Sequence, residues 1–162
     1  MRIVVSNSSV LISLSRVGLL NILKQLFGKV VIPREVFREV VEQGKGKPGE
    51  KEVEKADWIE VARVTDQDLI KHYYERPLTL EDATIVALAR EKNADLVIAD
   101  DDELRKAIQK ENLAVIGTIG ILLQAKREGL IPNVGHVLER LIREGLRISE
   151  KVYRDALKEA GE

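Results

Sequence analysis

Four places in the 162-residue chain carry side chains able to gather around a cation: Asn7 with Ser8, Glu39, Asp82, and the acidic run Asp100-Asp101-Asp102. Acids brought together without compensation repel one another and are costly to bury, so such a cluster makes sense chiefly around a cation. Mg²⁺ suits it, because it binds through a few carboxylates and keeps several waters; in phosphoryl chemistry it activates the attacking water and steadies the leaving oxygen. Competing chemistries lack their residues. The absence of cysteine removes disulfides, cysteine zinc sites and thiol nucleophiles. His72 and His136 lie far apart and form no H-x-x-x-H pair, which leaves a histidine zinc site or a serine triad without support. Gly44-Lys45-Gly46-Lys47 is no phosphate loop, since neither Ser nor Thr follows the lysine and no buried strand immediately precedes it.

The elements that must position these residues follow from the hydrophobic pattern. Ile3-Val4-Val5, Val30-Val31-Ile32 and Leu96-Val97-Ile98-Ala99 are apolar on both faces, as strands of a covered parallel sheet are, and Ala114-Val115-Ile116 repeats the rhythm. Between them come helical spacings: Val10 to Leu23, interrupted by Gly18; a helix opening at Pro33 and closing at Gly44; and Ala83 to Ala89, apolar nearly all round and therefore buried on most sides. Trp58 to Val61 reads as a short edge strand, Asp66 to Tyr74 as a short helix, and 44–54 as an exposed connection. Arg127-Glu128-Gly129-Leu130 and Arg143-Glu144-Gly145-Leu146 have the Gly-then-Leu form of Schellman helix ends, and a last helix starts at Ser149. Strands alternating with helices predict a three-layer α/β/α sandwich with a mainly parallel sheet, a single domain over 1–162 with a helical C-terminal segment from about 119.

In open α/β sheets ligands bind outside the carboxyl ends of strands. Asn7, the Pro33 helix and Asp100 to Asp102 stand there; at 100° per residue Glu39 lies nearer the apolar face than Glu35 or Glu42, and Asp82 sits in the first turn of the buried helix. Singly, each acid has a plainer use. Thr79 and Asp82 have capping-box spacing, Asp100 to Asp102 suit a helix N-terminus, Asn7 and Ser8 are ordinary caps, and a lone Glu39 is a solvated helix residue. Joint placement is what argues for a site.

The charge balance of 26 basic and 27 acidic residues gives no long-range attraction to nucleic acid, so any RNA contact is a local patch. Lys45, Lys47, Lys71, Arg76, Arg105 and Lys106 are the candidates, and the scarcity of aromatics leaves recognition to backbone and shape. The N-terminal apolar run from Met1 is too short for a signal peptide and no stretch is long enough to span a bilayer, which predicts a cytoplasmic protein that meets no membrane. Abundant Lys, Arg and Glu with few Asn, Gln and Met fit a thermophile.

The ordered motifs Ile3 to Ile12, Val31-Ile32-Pro33 with Val36 and Glu39, Asp82 to Ala89, and Leu96 to Asp101 resemble those of PIN-domain nucleases, including the VapC-like ribonuclease toxins. Ile116 to Gly120 and Gly129 to Pro132 are similar to an uncharacterised archaeal and bacterial branch of that superfamily. The resemblance implies an endoribonuclease dependent on Mg²⁺ or Mn²⁺, often a homodimer and often restrained by a small antitoxin protein. It assigns metal binding and catalysis to Glu39, Asp82 and Asp100, with Asp101 as a neighbour able to serve instead. The first position departs from the family: Asn7 stands where an aspartate is usual. An amide oxygen can ligate Mg²⁺ but neither neutralises it nor takes a proton from water. The alternative expectation is therefore a catalytically impaired RNA-binding or protein-binding module.

Overall fold

The structure, a computed structural model, describes residues 2–162; Met1, which opens the N-terminal run read above, lies outside the described residues. Its elements in order are β1 (Val4–Ser6), α1 (Ser8–Arg16), α2 (Asn21–Phe27), β2 (Val30–Pro33) and α3 (Arg34–Phe37), which runs into a π-helical turn (Arg38–Glu42). After these come α4 (Glu50–Lys55), β3 (Ile59–Ala62), α5 (Gln67–Tyr73), α6 (Leu80–Glu91), β4 (Leu96–Ile98) and α7 (Asp102–Lys110). The chain closes with β5 (Val115–Ile116), α8 (Thr118–Arg127), α9 (Val134–Arg143) and α10 (Glu150–Glu159).

The strands form one sheet in the order β3-β2-β1-β4-β5. Every pairing is parallel, with Val5 opposite Val31 and Val97, and Ile98 opposite Ile116. Parallel neighbours require crossovers, which are right-handed; strand order runs outward from β1 to β3 and then restarts at β4 on the other side of β1. The helices connecting β1 to β3 and those connecting β3 to β5 are thereby sent to opposite faces, giving three layers. Packing agrees: α5, α6 and α7 touch in succession, while α8 packs on α2, α9 and α10. Val4, Val5, Ile32, Val97 and Ile98 are almost wholly buried between these layers. Each large apolar side chain so buried contributes about 1.5–3 kcal/mol. Among the described residues no single helix is long and apolar enough to cross a membrane.

Several local outcomes differ from the pattern-based reading. Pro33 ends β2 and serves as the N-cap of α3 rather than its first residue. Residues 50–55, expected as open connection, form α4: the Glu52 carboxylate accepts from the Gly49 N–H at 3.0 Å, and Val53 is buried against the π-helical turn. The helix after β2 does not keep α geometry. The Gln43 N–H reaches back to the Arg38 carbonyl at 2.8 Å, five residues earlier, and Gly44 closes the turn where a Cβ would stand 2.3 Å from the Val40 carbonyl oxygen. The two Schellman ends form as read, with Leu130 N–H on the Ala125 carbonyl and Leu146 N–H on the Leu141 carbonyl, Gly129 and Gly145 at φ 75° and 109°.

Candidate active site

Strand order reverses between β1 and β4, and the crevice at that switch point is where a doubly wound sheet offers a site. Asn7 leaves the end of β1, its N–H bonded to the Ile98 carbonyl of β4 at 3.0 Å. As N-cap of α1 it is buried; Oδ1 accepts from the Val10 N–H at 3.4 Å and Nδ2 donates to Ser9 Oγ at 3.0 Å. Ser8 Oγ donates across the crevice to Glu81 Oε2 at 3.3 Å, which ties the start of α1 to the start of α6. Glu39 stands on the π-helical turn after β2, near enough to Glu81 for the two carboxyl groups to interact.

On the other side of the switch point Asp100 follows β4. Its Oδ1 accepts from the Thr118 N–H at 2.7 Å and its Oδ2 from Thr118 Oγ1 at 2.6 Å. The N-cap of α8 is Gly117, which has no side chain to cap with, so Asp100 supplies the missing acceptor from a distant part of the chain. Gly117 also makes room: a Cβ there would lie 2.5 Å from Asp100 Oδ1 and 3.0 Å from Arg105 Nη1. Asp82 and Asp101 make the plainer contacts. Asp82 completes a capping box with Thr79, each N–H bonded to the other's side chain at 3.1 Å. Asp101 caps α7 through the Leu104 N–H at 2.9 Å.

Burial pushes the Glu81 carboxyl up to about 8, aided by the hydrogen bond and charge of Glu39 and by the charge of Asp82; the Ser8 bond works against it. A half-buried carboxyl group beside other acids keeps its proton unless a cation replaces it. The donor set of carboxylates, hydroxyl and amide oxygen matches the hard-oxygen preference of Mg²⁺ and Mn²⁺. Among the described residues no three His, Asp or Glu side chains stand in a ready-made metal cage. Glu39 is exposed and free to turn, and each oxygen of Asp100 keeps a second lone pair beyond its bond to Thr118.

Glu81 was not visible as a site residue in the sequence. On a helix whose residues 83–89 are all buried, the hydrophobic pattern does not say which first-turn acid faces the crevice. The signal available was the capping box itself: it engages one oxygen of Asp82 with the backbone and leaves Glu81, its neighbour, to reach across.

The family model described as DUF3368, a PIN domain, matches residues 3–162. Among solved structures, the crystal structure of VapC20 from Mycobacterium tuberculosis, a sarcin-ricin loop cleaving toxin, is similar at a TM-score of 0.48 and 20% identity, over 64% of this chain and 94% of that one. No curated protein matches the chain.

Proposed function

We propose, since this chain belongs to the PIN-domain family, that it is a nuclease hydrolysing phosphodiester bonds in RNA with a divalent cation, Mg²⁺ or Mn²⁺. The observation that carries the reading is the meeting of Glu39 and Glu81 beside Ser8 and Asn7, at the carboxyl end of the sheet, with Asp100 across the strand-order reversal. Glu39, Asp82 and Asp100 would hold the ion, with Glu81 beside them, the Asn7 amide oxygen as a neutral donor and Asp101 in reserve. When bound, the ion acidifies a water and steadies charge on the leaving oxygen. The protein's part is orientation. Ser8 holds Glu81, Thr118 holds both oxygens of Asp100, and the N-cap bonds of Asn7 fix its amide at the strand end. A homodimer and a small antitoxin partner belong to the same reading, as does a role as the toxin of such a pair.

A second reading is favoured by one specific observation. The Asn7 amide is occupied as a buried cap, and being neutral it adds no charge where charge would hold the ion. On this reading the protein is an RNA- or protein-binding module without catalysis. Asn7→Asp separates the two, because an aspartate keeps the cap and accepts a bond from Ser9 Oγ. Wild type, Asn7→Asp and Asp100→Ala are compared on RNA with Mg²⁺, Mn²⁺ or EDTA. Metal-dependent cleavage by wild type that Asp100→Ala abolishes supports the nuclease; cleavage gained only by Asn7→Asp supports the binding module. Equal cleavage by all three proteins rules out the assigned site.

A further inference from the structure

A groove of about 690 Å³ opens directly from Asp100. One wall is the start of α7, with Asp102 and Arg105; the floor is β5 and the first turn of α8; the far wall is the end of the α9–α10 connection with the first turn of α10, residues 146–152. The volume lies in the range of ligand sites, about 300–1,000 Å³. Its floor and far wall present Ile116, Ile119, Ile148 and Val152, the last 42% exposed. Gly120 lets the floor sit deep, since a Cβ there would come within 2.6 Å of Ile116 Cγ1.

Two cations line this apolar surface, one on each wall. Arg105 is pinned by a 2.9 Å bond from Nη1 to the Ala99 carbonyl, which orients the guanidinium and leaves its other N–H donors available. Arg147 is exposed on the far wall. Among the described residues neither forms an ion pair, although the chain pairs other surface arginines with acids. Cations flanking aliphatic surface, continuous with the acid that ends β4, match a single polynucleotide strand: phosphates on the arginines, bases laid on the isoleucines and valine. No aromatic residue lines the groove, so stacking does not select among bases.

We infer that this groove is the substrate channel on the Asp100 side of the site, holding single-stranded RNA by its backbone, with Arg105 and Arg147 as phosphate contacts. The inference rests on the nuclease reading for the direction of the strand and for the choice of RNA, but its test does not require cleavage. Binding of a short fluorescein-labelled oligouridylate is followed by anisotropy in EDTA over a salt series. Arg147→Ala removes an exposed side chain. Val152→Glu places a like charge against the phosphates, and the fold is protected because Ser149-x-x-Glu is itself a capping box for α10. Arg143→Ala, on α9 outside the groove, is the control. Expected are a severalfold to about tenfold loss for Arg147→Ala with a log-log salt slope shallower by about 1, a loss at least as large for Val152→Glu, and wild-type binding for Arg143→Ala. Wild-type affinity in both groove variants overturns the channel, and so does a wild-type protein that binds no oligouridylate. Binding that obeys the groove variants in a protein that never cuts RNA removes the nuclease reading and leaves the channel. Cleavage in a protein indifferent to them does the reverse.

Discussion

Removing the charge-bearing oxygen of Glu81 with Glu81→Gln should stabilise the metal-free protein, and the gain should depend on pH. In the folded chain the carboxyl titrates at about 8 against an ordinary 4.5, because it is half-buried and meets Glu39. The native state thus holds this proton more tightly than the unfolded one. Its contribution is fully present below pH 4.5 and is lost as pH rises toward 8, at about 1.4 kcal/mol per unit. That window sets a ceiling of about 5 kcal/mol; partial exposure reduces the expected penalty at pH 8 to about 1–3 kcal/mol. Gln keeps a hydrogen-bonding shape and carries no charge, so it escapes the penalty. For a domain of this size the variant should melt about 3–10 °C above wild type at pH 8. Near pH 5, where wild-type Glu81 is protonated as well, the two should melt within a degree or two. Thermal melts in EDTA across that range are sufficient. A variant no more stable than wild type at pH 8, or equally stabilised at both ends, would show that Glu81 does not hold its proton in the folded chain and that the crevice is not strained by like charge.

Asp100→Ala strips the acceptor from both the Thr118 N–H and its hydroxyl, and Thr118 is 1% exposed. Denaturant titration should show a loss of about 1–3 kcal/mol, so its activity must be read at a temperature where it remains folded. Gly117→Ala should displace the same carboxylate by placing a Cβ 2.5 Å from Oδ1, costing about 1–3 kcal/mol while leaving every acid in the chain intact. Glu162→Gln should behave opposite to Glu81→Gln. Burial opposes the Glu162 charge, but Lys126 and the Val134 and Gly135 N–H groups outweigh it and hold the carboxyl at about 2. Its stabilisation is present above pH 4.5 and lost as pH falls toward 2, so the variant should be weaker by about 1 kcal/mol at neutral pH, with the gap closing in acid.

The sheet could be read from the sequence because parallel strands covered on both faces are continuous apolar runs, and Val30 to Ile32 and Leu96 to Ile98 have no polar residue to confuse them. The two glycine-marked helix ends were legible for an equally local reason, since the Gly and the Leu after it each have a fixed task in the turn. What escaped was set by tertiary context. In α4 only Val53 is buried, so no apolar periodicity announces the helix. The π-helical turn breaks the 100° rule by which Glu39 was placed, and nothing in Arg38-Glu39-Val40-Val41-Glu42 declares the change. Around the site, the sequence indicated the strand ends but not the pairing. That Glu39 meets Glu81, and that Asp100 is held by Thr118 eighteen residues on, depends on how separate elements dock.

The π-helical turn makes this stretch tolerant of one kind of mutation and not of another. It is in effect one residue stored inside a helix, with the surplus taken up by the bond from Gln43 to Arg38. Substitutions at Arg38 or Glu42, an exposed pair 3.8 Å apart, disturb little. Inserting one more residue directly after Arg38, where the turn already holds its surplus, would rotate everything beyond by about 100° relative to β2. Val40 and Val41 would leave the core, and Glu39 would part from Glu81. Length, more than composition, is what this segment must keep.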